Sequence, residues 1–191
     1  MNQKDHIFEQ EFLPHADALT NFAYYLTQDE GEAEDLTQDT LLKAYNAGEV
    51  YHQGTNARAW LFRIMKNTFI NYYRKRKRRG KQVDIEEAFT TPEEEHAHNY
   101  IPEEEDNFIV DEMGDEIMTA IHHLPLDYRT ILLLCYIEEF KYEELASIFD
   151  IPIGTVRSRL SRARALLKAE LKSYADKLGY VTTEKKEGID N

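Results

Sequence analysis

Between Asp84 and Glu116 the chain carries fourteen acidic residues and no lysine or arginine. The run "KQVDIEEAFTTPEEEHAHNYIPEEEDNFIVDE", residues 81–112, is also interrupted by Pro92 and Pro102, and its aromatics Phe89, Tyr100 and Phe108 share no face. Like charges at this density repel, and so few apolar side chains cannot bury enough surface to offset the entropy of ordering the backbone. The stretch reads as an extended acidic linker, and it cuts a chain of 191 residues into two pieces. The expected organisation is a domain over residues 1–80, the linker over 81–112, a second domain over 113–175 and a polar tail over 176–191. Both domains are small but within the range that folds alone.

Each piece has helical spacing. Apolar residues recur every three or four positions in "FLPHADALTNFAYYL", "EAEDLTQDTLLKAY" and "NARAWLFRIMKNTFINYY", then again in "GDEIMTAIHHL", "LPLDYRTILLLCYIEEF" and "KYEELASIFD". No run alternates with period two around a hairpin turn, so no sheet is expected. The fold class is therefore all-α, two small helical domains joined by the acidic linker. Asp29 with Glu32 three residues on resembles a capping box, Gly48 suits a helix stop, and Pro125 suits the entry to a new helix.

Charge is distributed in zones. Ten lysines and arginines and no acid lie between Val50 and Val83, and six bases stand against Glu170 alone between Ile151 and Lys172. The second zone contains "GTVRSRLSRARALL", which follows a helix of about eight residues and the turn "DIPIG" with Gly154, the layout of a helix-turn-helix. On a helical wheel Val156, Leu160, Ala163 and Leu167 share the inward face, while Ser158, Ser161 and Ala165 lie opposite, flanked by Arg157 and Arg162. Small residues let a helix approach a groove closely, and flanking arginines can bridge guanine O6 and N7 or grip phosphate. Arg159 and Arg164 lie nearer the apolar edge and read as partners of phosphates or of carboxylates in their own domain.

In the first basic zone, Leu61, Met65, Thr68, Phe69 and Tyr72 share one face, and Trp60, Arg63, Asn67, Asn71 and Arg74 the other. Amides that can read base edges beside backbone-gripping arginines suit an opened strand. Trp60 reads as core rather than as a stacking platform, and the cluster "RKRKRR" is equally a solvated helix end. In "EAEDLTQDTLLKAY" the stripe Ala33, Leu36, Thr37, Thr40 and Ala44 should be buried, leaving Asp35, Gln38, Asp39 and Leu42 exposed. Carboxylates around an exposed leucine have the anatomy of a protein-binding patch, although a solvated face fits the pattern equally well.

Other chemistries are not expected. His96 and His98 have no third ligand at usable spacing, and the acids at 29–39 lack the glycine-turned spacing of a calcium loop. No nucleophile–base pair, metal cluster or phosphate loop is present, so neither a catalytic residue nor a cofactor is expected. Cys135 cannot form an internal disulfide and sits among leucines as a small hydrophobe, and His122 with His123 reads as a surface or packing pair. The longest apolar run, "TILLLCYI", is well short of the ~20 residues of a membrane span. "MNQKDHIFEQ" does not have the form of a secretory signal, and a cytoplasmic location is expected.

Taken together, "GEAEDLTQDTLLKAY", "ARAWLFRIMKNTFINYYRKRKRR" and "LPLDYRTILLLCYIEEFKYEELASIFDIPIGTVRSRLSRARALLKAEL" resemble the two domains of a bacterial extracytoplasmic-function (ECF) sigma factor, in the right order, over about residues 8–78 and 113–172. The resemblance implies an alternative sigma factor that binds core RNA polymerase and directs promoter-specific initiation, with the clamp and flap of the polymerase, promoter DNA and an anti-sigma factor as partners. It implies that Asp35, Gln38 and Asp39 dock on the clamp, with Leu42 added from the face reading above. It implies minus-ten strand capture by the loop "HQGTNA" with Asn56 and by Arg63, Lys66, Asn67, Asn71 and Arg74, Asn67 foremost. It implies minus-thirty-five reading by Thr155, Arg157, Ser158, Ser161 and Arg162. The acidic linker then stands in for the nucleic acid whose channel it threads, and the formal charge of -13 restrains indiscriminate DNA binding by the free protein. Two other readings stay open: a free-standing regulator using the helix-turn-helix alone, and a nucleic-acid-processing enzyme using the acids at 29–39. Promoter binding without polymerase would favour the first, and metal-dependent cleavage the second.

Overall fold

The computed structural model describes residues 3–80 and 115–177, and every regular element in those residues is helical. The acidic linker, with His96 and His98, and the expected tail beyond residue 177 lie outside the described residues. A short helix α1 (Gln3–Ile7) passes through one π-helical turn and one 3-10 turn into α2 (Ala16–Thr27), followed by α3 (Glu30–Asn46) and the long α4 (Ala57–Gly80). The second group is α5 (Asp115–His123), α6 (Leu126–Tyr136), α7 (Tyr142–Phe149) and α8 (Ile153–Lys177).

The helix boundaries follow from local chemistry. Asp29 caps α3: its Oδ1 accepts the Glu32 N–H at 2.8 Å, satisfying one of the amides a helix start leaves free. The other half of the expected box is diverted, because the Glu32 carboxylate pairs with Arg76 of α4 at 2.6 Å. Asn56 caps α4 through its Oδ1, which accepts the Ala59 N–H at 2.9 Å, and Pro125 stands immediately before α6.

The turn between α7 and α8 differs from the expectation. Gly154 lies inside α8, and a side chain there would meet nothing within 4 Å. The left-handed residue that ends α7 is Asp150, at φ 57°, with its own N–H and that of Ile151 both returning to the Ala146 carbonyl. A short polar side chain tolerates that backbone better than most, so aspartate does there what glycine usually does.

Two cores result. In the first, α2, α3 and α4 bury Leu19, Phe22, Leu26, Leu36, Ala44, Leu61, Phe62 and Met65. Phe12, Tyr51 and Trp60 form an aromatic cluster at its edge, with ring centroids 5.0–5.1 Å apart, so Trp60 is a packing residue as expected. The second core closes α6 and α7 on α8 through Leu133, Leu134, Leu145, Ile148 and the full predicted stripe Val156, Leu160, Ala163 and Leu167. Tyr72, which shares the face of Leu61, Met65 and Phe69, is nevertheless 47% exposed, beside the groove between α3 and α4 that Glu32 and Arg76 close.

Candidate nucleic-acid interface

α3 buries Ala33, Leu36, Thr37, Thr40 and Ala44 and presents Asp35, Gln38, Asp39 and Leu42 on the opposite side, all exposed, Leu42 at 59%. A leucine that far in water, ringed by two carboxylates and an amide, gains most from a partner that covers it and offers positive charge. Lys43 lies 4.0 Å from Asp39 across a solvated gap and neutralises little of this patch.

α8 projects Arg157, Ser158 and Arg162 into solvent, with Thr155 and Ser161 half-buried beside them. The Ser158 hydroxyl donates to the Thr155 carbonyl at 3.0 Å, which keeps the centre of this face low. Arg164 points elsewhere and donates to the Tyr136 hydroxyl at 3.0 Å, a phenol where a phosphate or carboxylate was expected. Arg159 is half-buried and its charge acts on Lys66 of the first domain.

The structure separates the six strand-capture candidates into two sets. Asn67, Asn71 and Arg74 are exposed on α4. Asn56, Arg63 and Lys66 have partners in the second domain, Lys66 buried against it and Asn56 and Arg63 still exposed. The Asn56 Nδ2 donates to Glu144 Oε1 at 2.6 Å, Arg63 lies 3.6 Å from the Asp150 carboxylate, and the Lys66 ammonium donates to the Ile148 carbonyl at 2.9 Å. Lys66 is only 7% exposed, and its ammonium lies 4.8 Å over the Phe149 ring. Burial, with Arg63 as the next cause, lowers its pKa.

Sequence reasoning missed Arg58 on this seam. Its guanidinium donates to both the carbonyl and the carboxylate of Glu138 at 2.7 Å and lies 4.2 Å over the Phe140 ring. Glu138 is itself 7% exposed, and burial raises its carboxyl pKa against the opposing pull of Arg58. No spacing rule links residues eighty positions apart, and the sequence signal was only a base at the start of α4 with no acid near it in the chain.

His122 is a second tie between the domains. Its Nδ1 accepts from Arg129 at 2.7 Å while its Nε2 donates to the Tyr25 carbonyl of α2 at 3.0 Å, which defines the neutral tautomer. Burial, and then Arg129, lower its pKa below 6.5, while Tyr25 opposes them. A proton on Nδ1 would remove the acceptor and set two cations side by side. The contribution of this tie is therefore intact above pH 6.5, the ordinary value, and is lost as pH falls from there towards the lowered native one. Melting curves at pH 7.5 and 5.5 check this: His122→Asn, which cannot titrate, should show a smaller pH-dependent fall in Tm than the unaltered chain.

Among the described residues no cluster of metal-ligating side chains is present, and no helix is long and apolar enough to cross a membrane. The Cys135 thiol is half-buried and burial raises its pKa, as suits a packing residue.

Comparison with known proteins gives concordant matches. The family "Sigma-70 region 2" matches residues 12–79 and "Sigma-70, region 4" matches residues 114–167. The chain is 34% identical over 161 residues to the ECF RNA polymerase sigma factor EcfG of Rhodopseudomonas palustris, covering 84% of this chain and 83% of that one. It is 32% identical to the sigma factor SigE of Mycolicibacterium smegmatis, spanning 60% of that longer protein. Among solved structures it resembles the sigma factor RpoE of Bartonella quintana in complex with the anti-sigma factor NepR, with TM-score 0.63, 35% identity, and 86% of this chain and 96% of that one covered.

Proposed function

We propose residue-level roles from one premise: the chain belongs to the sigma-70 family, within its extracytoplasmic-function group. It is an alternative sigma factor directing transcription initiation, and core RNA polymerase and promoter DNA are its partners. The observation that carries the assignment is the division of exposed charge. An acidic patch with an apolar anchor, Asp35, Gln38, Asp39 and Leu42, stands on the first domain, and a basic face with a low centre, Arg157, Ser158 and Arg162, on the second.

The acidic patch docks on the polymerase clamp, and α8 reads the minus-thirty-five duplex with Arg157 and Arg162 reaching past Ser158 and Ser161, Thr155 at its N-terminal end. Asn67, with Asn71 and Arg74, meets the opened minus-ten strand first, and Asn56, Arg63 and Lys66 join when the second domain moves away. The first domain extends to about residue 80 and the second starts near 113. The protein works in the cytoplasm and is not itself an enzyme, and an anti-sigma factor holds it until it is needed, as NepR accompanies the Bartonella relative.

Transcription in vitro with purified core polymerase, followed by mapping of start sites, tests the reading. The chain should convert core enzyme to specific initiation, and specific duplex binding without polymerase would favour a free-standing regulator instead. Asn67→Ala is expected to leave holoenzyme assembly and duplex docking unchanged while lowering open-complex formation, because a captured base loses a hydrogen-bond partner. Permanganate reactivity of thymines in the melted region reads this out, and equal reactivity in both proteins removes Asn67 from the role.

A further inference from the structure

The loop that joins α3 to α4 is held from outside by Glu11, a residue of the π-helical turn Phe8–Phe12 that follows α1. One carboxylate oxygen, Oε2, accepts from the Tyr51 hydroxyl and, at 3.4 Å, from the Gly54 N–H. The Tyr51 oxygen also lies 3.2 Å from the Thr55 carbonyl. Thr55 in turn is tied back to the His52 carbonyl by its N–H at 3.2 Å and its hydroxyl at 2.7 Å. Gly54 stands at φ 80°, a left-handed backbone in which any side chain would be strained. Residues 51–55 therefore close into a small turn around one phenol, and the fixed point of that turn is a carboxylate forty positions away.

The anchor is buried and the tip is not. The Tyr51 ring packs 5.0 Å from both Phe12 and Trp60, while His52, Gln53, Gly54, Thr55 and Asn56 are exposed. Two neighbours in one turn thus grip the same tyrosine, Phe12 by its ring and Glu11 by its hydroxyl. Burial, and then Glu11, raise the Tyr51 pKa, so the phenol keeps its proton. It has only one to give, and a carboxylate is a stronger acceptor than a carbonyl. An exposed loop restrained in this way has less conformational entropy to lose when it binds, and it favours whatever fits its fixed shape.

We propose that Glu11 is a positioning residue for the minus-ten element: through Tyr51 and Gly54 it fixes the shape of the loop over residues 52–56 and so sets which base that loop accepts. The proposal rests on the strand-capture reading above, and it adds a determinant that lies outside both the loop and α4.

Full-length variants assembled with core polymerase test it. The holoenzyme selects from fork-junction DNA whose melted segment is randomised, and Tm is measured on each free chain. Glu11→Ala should relax preference at one base, or at two adjacent ones, by at least about fivefold, the scale of one or two net hydrogen bonds. Glu11→Gln keeps an oxygen for the Tyr51 hydroxyl and should restore part of the preference. Tyr51→Phe keeps the ring packing and should relax the same base, and combining it with Glu11→Ala should add little, because both changes break one bond. Tyr45→Phe is the control for stability alone. It removes the hydrogen bond to Asp5 at 2.9 Å, another tie between the N-terminal segment and α3, and should lower Tm without moving base preference.

Unchanged preference in Glu11→Ala overturns the proposal. So does relaxation by Tyr45→Phe to the same extent, which would make it an effect of stability, or an unchanged preference in Tyr51→Phe, which would break the route through the phenol. An unaltered holoenzyme with no base preference in the melted segment removes the strand-capture reading itself and the proposal with it. Preference that is present in the unaltered holoenzyme and kept by Glu11→Ala removes the proposal only.

Discussion

Changing Asp35 and Asp39 together to arginine is expected to abolish association with core RNA polymerase while leaving the fold intact. Both side chains are exposed, on the face of α3 opposite its buried stripe. Exposed substitutions usually change stability by no more than about 0.5 kcal/mol, and arginine is a better helix former than aspartate. At the interface the effect is much larger. Two negative charges become two positive ones around the Leu42 anchor, so every basic group on the partner meets repulsion where it met attraction. Like-charge juxtaposition across an interface costs several kcal/mol, and each ~1.4 kcal/mol is tenfold in affinity, so a loss of about a hundredfold or more is expected. Co-purification with polymerase measures it, with circular dichroism and Tm as the control for folding. Leu42→Ala in the same assay should weaken association without reversing the charge pattern, which separates the apolar anchor from its rim. Wild-type recovery of the double variant would remove α3 as the docking face.

What could be read from sequence follows from how far apart the interacting residues lie. The buried stripes of α3 and α8 were legible residue by residue because a helix repeats its inward face every three or four positions, and that period is written in the chain itself. Asp29 as a cap was legible for the same local reason, whereas the diversion of Glu32 to Arg76 was not, because it depends on how α4 crosses α3. The glycine expected in the turn of the helix-turn-helix was wrong on chemistry: Gly154 was the nearest flexible residue, yet Asp150 takes the left-handed position. The largest shortfall was on α4. Periodicity could show that Arg63 and Asn67 lie on one side of α4, but not that the other domain, on the far side of a long acidic segment, buries Lys66 and brings the Asp150 carboxylate to Arg63. Arg58 belonged to no motif, and only its carboxylate partner in three dimensions gives it meaning.

The four arginines of α8 should separate into two classes under alanine substitution, divided by what each side chain meets in the fold. Arg157 and Arg162 are exposed on either side of Ser158, where side chains reach furthest towards a groove. Arg164 is engaged by Tyr136, and half-buried Arg159 acts electrostatically on the first domain. An arginine that bridges a guanine should, when truncated, cost ~1–3 kcal/mol on the preferred site and relax preference at one base pair. An arginine that only grips phosphate should weaken all sequences alike and lower the slope of log affinity against log salt by about one. Selection of upstream elements from a randomised pool by the holoenzyme, at two salt concentrations, distinguishes the outcomes. At least one of Arg157→Ala and Arg162→Ala should change the selected sequence, and the double variant should lose most of the discrimination. Arg164→Ala should leave the sequence as it was and show instead in Tm, because its partner belongs to the fold. If Arg157→Ala and Arg162→Ala both return the unaltered upstream sequence, α8 is a basic surface that holds DNA without reading it, and specificity must come from the minus-ten strand and the face of α4 that the closed domains partly cover.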